Sequence, residues 1–393
     1  MKTTRNDSVE LCEHDALFLS QDELTSLTQK TGTPLYLYDE KGLRSSVESL
    51  FGVFSALQNM RGYFPLHLFA QREILEVLAT TKIGAYCLTP EELRLALDCG
   101  FDGERLVYAP MLLDAEMAQI LCDLNIELMV VNPQSLEHTL PKRVTLACSP
   151  VRKVRNNLTA LGYHRAPLGL IRSEVMEAVP RLAAAGHDLG LAIIEGMNMS
   201  EETHLANKLK SLRKYQKELL ETTGVDIRRL HPGEGPGIRY NRLMPPMDME
   251  LLARNAVAAL EDENFEICMN VGKRILEPNG IFVTAVQNII PRERPTMVVD
   301  AMSSQIIPSQ MDRYRHVSIV GKNWVKGRTM CDVIGCRALS TDWIAERIIL
   351  PRPEVGDLVV LYDAGSGPVK GSGVPCLLLR EDGTVTRLEH CEE

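Results

Sequence analysis

The chain predicts an α/β fold: a (β/α)8 TIM-like barrel followed by a C-terminal β-sandwich or β-barrel domain. Three observations carry this. From about residue 35 to 285, short apolar strands alternate with amphipathic helices at roughly 25-residue intervals, the mark of parallel βα units. About eight such units favour closure into a barrel over an open sheet. Beyond 285 the helical patterns stop, and short β-rich runs punctuated by Pro and Gly take over. At 393 residues, two domains are also what chain length alone suggests.

Taken in order, "TPLYLYD" (33–39) reads as a strand, and "GLRSSVESLFGVFSAL" (42–57) follows with apolar residues at helical spacing. "GYFPLHLFAQREILEVL" (62–78) reads as a buried strand running through a short loop into a helix. The strand "IGAYCLT" (83–89) precedes a helix with Pro90 at its start and Gly100 near its stop. "ERLVYAP", "MLLDAEMAQILCDLN", "IELMVVN", "RVTLACS", "SEVMEAVPRLAAAG" and "LGLAIIEG" continue the alternation. A long helix over 201–223 then leads to "IRRLHPGEG" (227–235). The later runs "IFVTAVQNII", "TMVVDAM", "RHVSIVG", "DLVVLYDAG", "VPCLLLR" and "TVTRLEH" form the second domain. The expected division is an N-terminal segment, 1–34, packing with the C-terminal β-domain, a barrel over 35–284, and the β-domain over 285–393.

Composition excludes several function classes. A net charge of -9 argues against nucleic acid and anionic membrane surfaces, both of which call for a basic patch. No apolar run approaches the ~20 residues that span a bilayer, and the first residues, "MKTTRNDSVELCEHD", lack the apolar stretch of a secretory signal. Ten Cys without a repeating spacing read as reduced thiols, so a cytoplasmic location is expected. Cys331 and Cys336 have no second pair to complete a zinc site.

Local strings narrow the field further. "GTPLYLYDEKGLRSSV" resembles the opening of the diaminopimelate/ornithine decarboxylase family, the pyridoxal-phosphate (PLP) enzymes of the alanine-racemase fold. "IGAYCLTPEELRLALDCGF" resembles its G-A-D-x-x-S-x-x-E-L-x-x-A-L-x-x-G-F, and "ILEPNG" its E-P-G-R. "VIGCRALSTDWIAERIILPRPEVGDLVVLYDAGSG" resembles G-x-x-C-x-x-x-D, then L-P, G-D and D-A-G-A-Y. The resemblance runs over nearly the whole chain in order, and it implies a head-to-tail homodimer in which each cavity is completed by the neighbour's β-domain.

The family's chemistry implies particular residues, and here they differ. The lysine of Y-A-x-K-A-N, which forms a Schiff base with PLP, falls at or beside His67, and there is no lysine between Lys41 and Lys82. Imidazole cannot form that bond. The histidine implied to stack on the pyridine ring reads Ile194, and the arginine beside the ring reads Ala147. The G-G-G phosphate loop reads "HPGEGPG", keeping Gly233 and Gly235 but placing Glu234 between them, where a carboxylate would repel a phosphate dianion. The E-P-G-R arginine reads Gly280, although Glu277 and Pro278 persist. The catalytic cysteine falls on Ala338, with Gly335 and Asp342 in register and Cys336 two residues early. The D-A-G-A-Y tyrosine reads Gly367 after Asp363, Ala364 and Gly365. The chain thus resembles a degenerate member of the family, and no PLP is expected.

The retained residues are mostly architectural, and Gly233, Gly235 and Glu277 are remnants of a cofactor site. His67, His231 and Glu234 map near the barrel's C-terminal mouth, where such folds keep their chemistry. They could form a three-ligand metal site or a general-base pair; the plainer reading is a set of capped or solvated side chains, with His67 filling the lysine's space. Arg165, Cys336, Asp342 and Asp363 are candidate substrate or anion contacts, Arg165 reading equally well as a surface ion pair. Three functions follow: a non-catalytic homologue binding a protein partner or a small amino-acid-like ligand, a PLP-independent enzyme repurposing the cavity, or an active PLP-dependent decarboxylase anchored elsewhere, such as at Lys82.

Overall fold

The computed structural model describes residues 18–57, 59–148, 168–194, 201–238, 245–261, 264–306, 316–322, 327–367 and 372–389. The described residues divide into two compact units, one drawn from 18–39 and 277–387, the other from 40–238, 245–276 and 388–389.

In the second unit, eight parallel strands close into a barrel in sequence order, β2 to β9. They are β2 (Asn59–Pro65), β3 (Gly84–Cys87), β4 (Leu106–Tyr108), β5 (Glu127–Val130), β6 (Arg143–Cys148), β7 (Asp188–Ile193), β8 (Arg229–His231) and β9 (Glu266–Asn270). The ring closes where Asn59–Tyr63 of β2 pair in register with Glu266–Asn270 of β9. Helix α2 (Glu40–Val53) precedes the first strand, α3 (Arg72–Ala79), α4 (Pro90–Asp98), α5 (Ala115–Asp123), α6 (Arg172–Ala184), α7 (His204–Thr223) and α8 (Met249–Ala259) lie between strands, and α9 (Gly272–Leu276) follows the last. Their ends follow local chemistry. Thr89 caps α4 by accepting the Glu92 N–H at 3.2 Å, with Pro90 in the first turn. Gly224, at φ 74°, ends α7 in the left-handed conformation.

Strand residues alternate between the two faces, so the lumen is built in layers. Its floor is ionic: Arg229 and Glu127 are 2% and 3% exposed. Arg143 bridges Glu127 at 3.2 Å and Glu266 at 2.7 Å, and Arg229 reaches Asp188 at 2.6 Å. Gly190 leaves the room: a Cβ there would stand 2.3 Å from Thr145 Oγ1 and 2.8 Å from Arg229 Nε. Above the floor lies an apolar cluster containing Tyr63, Tyr86, Met129, Ala147, Ala192 and Cys268, with Ile194 packed against it.

The first unit is a mixed nine-stranded sheet among the described residues. It comprises β1 (Leu35–Asp39), β10 (Gly280–Ile290), β11 (Thr296–Val299), β12 (Val317–Ile319), β13 (Arg328–Ile334), β14 (Trp343–Pro351), β15 (Leu358–Leu361), β16 (Cys376–Leu379) and β17 (Val385–Arg387). The N-terminal helix α1 (Gln21–Thr31), closed by a Ser20/Glu23 capping box, sends Leu24 into the core with Leu35, Leu37, Val283 and Val360.

The expected boundaries therefore move. The sequence places β1 in the barrel, but it pairs antiparallel with β10 and parallel with β16. The barrel unit begins at 40 and its main body ends at 276, and β10 belongs wholly to the sheet unit. The cause is that β1 is buried almost along its whole length; a short apolar run carries no mark of which sheet it joins. No helix among the described residues is long and apolar enough to cross a membrane.

Candidate functional site

The barrel mouth is formed by the ends of β2, β8 and β9 and the loops that follow them. β2 ends at Pro65 and turns through a short 3-10 segment, Leu66–Leu68, before α3. His67 sits on that turn with its side chain exposed. Even so, desolvation by its neighbours, assisted by the charge of Lys273, holds its pKa below the ordinary imidazole value. Lys82, the alternative anchor, is exposed just before β3, at the opposite end of the strands.

His231 closes β8 and is 2% exposed. Its Nδ1 accepts the Gly233 N–H at 3.1 Å. A backbone N–H can only donate, so the ring proton resides on Nε2. Nε2 is buried and meets no hydrogen-bond partner among the described residues. The ring lies parallel to Tyr63, with centroids 6.1 Å apart, and tilted against Tyr86 at the same distance. Burial, with the charge of Lys208, pushes its pKa down to about 3, so the imidazole is neutral.

The loop after β8 folds back on the end of β9. Gly235 N–H donates to the Asn270 carbonyl at 2.7 Å, and Asn270 N–H to the Gly233 carbonyl at 2.9 Å. Gly235 is closely packed: a Cβ there would press on that Asn270 carbonyl and on the Met269 sulfur, each at 3.0 Å. The Asn270 amide donates to the half-buried Glu234 carboxylate, while its Oδ1 is buried without a partner. Burial raises the Glu234 carboxyl against the opposing charges of Lys273 and Lys208. Lys208, on α7, donates to the Pro232 carbonyl at 3.0 Å.

The structure thus brings His231 and Glu234 to one loop and leaves His67 exposed on the turn after β2. Among the described residues no group of three His, Cys, Asp or Glu side chains is placed to hold a metal ion. The three-ligand arrangement of His67, His231 and Glu234 is not assembled; His231 Nδ1 already accepts from Gly233. Sequence reasoning missed Asn270, Lys208 and Lys273. Asn270 did leave a signal, a polar residue closing the otherwise apolar strand "EICMN".

The remaining candidates lie in the sheet unit or outside the described residues. The Glu277 carboxylate accepts the Ser366 N–H at 3.1 Å and the Ser366 hydroxyl. Asp342, 4% exposed, accepts the backbone N–H groups of Ser303 at 2.7 Å and Arg337 at 2.9 Å. Asp342 is therefore a loop brace rather than an open anion contact. Cys336 is exposed beside it, at the start of an exposed stretch over 336–341. Asp363 adopts a positive φ of 50° in the turn after β15. Arg165 lies outside the described residues.

A family model described as pyridoxal-dependent decarboxylase, C-terminal sheet domain, matches residues 35–365. Protein TabA of Pseudomonas amygdali pv. tabaci is 23% identical over 387 residues, covering 94% of this chain and 91% of its own. The diaminopimelate decarboxylase of Deinococcus radiodurans is 26% identical over 364 residues, 88% of each chain. Among solved structures, diaminopimelate decarboxylase from M. jannaschii in co-complex with L-lysine superposes with a TM-score of 0.78 at 18% identity, over 93% of this chain and 91% of that one. The Helicobacter pylori enzyme complexed with L-lysine gives 0.75 at 20% identity, over 93% and 95%. These structural likenesses establish the shared fold.

Proposed function

The chain belongs to the pyridoxal-dependent decarboxylase family, and from that premise we propose that it is a non-catalytic member whose barrel mouth binds a small ligand in place of PLP. The observation that carries this reading is the turn Leu66–Leu68. It follows the first barrel strand, where the resemblance implies the anchoring lysine, and it presents His67 instead.

The residues present do not fit PLP elsewhere either. Ala147 and Ile194 stand in or against the apolar lumen cluster, where an arginine and a ring-stacking histidine are implied. Glu234 brings a carboxylate into the loop that would cradle the phosphate. An arginine at Gly280 has no room, because even a Cβ there would stand 2.4 Å from the Gly365 Cα. Glu277 is engaged by Ser366. Gly367, where a tyrosine is implied, has a φ of 75°, a left-handed conformation that favours glycine.

The test is the visible absorption of the purified protein with added PLP, before and after borohydride, with mass spectrometry of the product. The expected result is no borohydride-sensitive band and no labelled lysine. A reduced PLP adduct on any lysine, Lys273 and Lys208 at the mouth foremost, would overturn the reading and restore an active decarboxylase.

A further inference from the structure

We propose that the rim built by the loops after β3, β4 and β5 docks a basic, leucine-bearing segment of a partner protein. No residue of this rim is implied in holding PLP, so the inference is independent of the reading of the mouth.

Three consecutive parallel strands end side by side here, Cys87 of β3 pairing with Tyr108 of β4, and Tyr108 with Leu128 of β5. The chain leaving β3 and β4 exposes Leu88 (37%), Met111 (54%) and Leu112 (80%). Single exposed apolar side chains are ordinary, but neighbouring ones mark contact surfaces. Beside them opens a cleft of about 270 Å³, lined by Leu112 and Leu113 from the loop after β4 and by Gln134, Ser135, Glu137 and His138 after β5. The two loops are pinned together. Asn132 donates through Nδ2 to the Met111 carbonyl at 3.1 Å and accepts the Gln134 N–H through Oδ1 at 3.1 Å. The cleft is therefore preformed. It is smaller than the ~300–1,000 Å³ of pockets that enclose drug-sized ligands, and it suits one side chain of a partner.

Charge chooses that partner. Glu91, Asp114, Glu116 and Glu137 are all exposed on these loops or on the helix starts that follow them. Between residues 88 and 138 the only lysines or arginines are Arg94, along α4, and Arg105. Arg105 is bound to the Ala79 and Thr81 carbonyls, at the opposite ends of the strands. The carboxylates act on one another's surroundings: burial, joined by the charges of Asp114 and Glu91, pushes the Tyr108 hydroxyl up to about 12. Helix dipoles account for acids in a first turn, but not for Met111 and Leu112 left in water beside them. Apolar anchors next to unneutralised carboxylates match a segment whose leucine covers Met111 and Leu112 and whose arginine or lysine enters the cleft toward Glu137. A second copy of this chain, at net charge -9, fits less well than a cationic partner.

The test is fluorescence anisotropy of labelled peptides against the full-length protein at near-physiological salt. The probe alternates arginine and leucine; one control replaces every arginine by glutamate, the other every leucine by serine. The arginine–leucine peptide is expected to bind at least about tenfold more tightly than either control. Leu112→Ser should weaken it by about tenfold and Glu137→Gln by about threefold. Ile349→Ser, which removes another exposed apolar side chain from the sheet unit, should leave it unchanged. Absence of binding, equal binding of either control peptide, or unchanged affinity in Leu112→Ser or Glu137→Gln overturns the proposal. So does a change in sedimentation on Leu112→Ser without peptide, which would make the rim an interface between copies of this chain.

Discussion

His231 is buried with one ring nitrogen engaged, so charging it in the folded protein forfeits both its desolvated packing and the bond from Gly233. Lys208 and Arg229 add repulsion from the cationic side. The folded pKa is pushed down to about 3 from an ordinary 6.5. A depressed histidine pKa means the unfolded chain binds the extra proton between those values, so stability is full above pH 6.5 and falls as the pH drops below it. The loss approaches about 1.4 kcal/mol per pH unit, or about 2 kcal/mol from pH 7 to pH 5. Glu234 and His67 titrate nearby, so the measurement is the difference between the native protein and His231→Phe in urea unfolding at the two pH values. The native protein should lose about 2 kcal/mol more than the variant; equal losses would mean that His231 is charged, or free to charge, in the fold.

At the scale of elements, the alternation of apolar strands and amphipathic helices was enough to read the barrel, because each parallel strand is buried on both faces and each helix on one. What it could not supply was the partner of each strand. β1 looks like any barrel strand locally, and only its pairing with β10 and β16 shows otherwise. Motif register likewise identified Asp342 but not its task. In the loop between β13 and β14 its carboxylate takes the N–H groups of Ser303 and Arg337, and Gly335 must lack a side chain because a Cβ would come within 2.3 Å of Asp342 Oδ2. Asp342→Ala strands two amides that the carboxylate now satisfies, and should destabilise the sheet unit by about 2–4 kcal/mol in urea unfolding. Asp342→Asn, which keeps one carbonyl acceptor, should lose less. If the two variants were equally harmless, the loop would owe its shape to something other than this carboxylate.

For the barrel as a whole, the candidate site was legible only as a place. The resemblance pointed to the mouth, and His231 and Glu234 do both lie there, but Asn270 and the two lysines act through folding that brings Lys208 of α7 to the Pro232 carbonyl and the charges of Lys208 and Lys273 to Glu234. The ionic floor was invisible for the same reason: Glu127, Arg143, Asp188, Arg229 and Glu266 come from the starts of five strands. Each reads in sequence as an ordinary charge next to an apolar run. Closure of the ring turns them into one network, with Thr145 donating to Glu127 at 2.5 Å. Such a network has little net worth against an apolar replacement of the whole, yet losing one member exposes the rest. Arg229→Met leaves Glu127 and Asp188 with Arg143 alone where two arginines now serve them, and should cost about 3 kcal/mol. Because the floor joins strands around the ring, the loss should appear as faster amide hydrogen exchange in β5 through β9 together. Faster exchange confined to β8 would mean that the arginine serves its own strand and that the apolar layer above, not the ionic floor, holds the barrel closed.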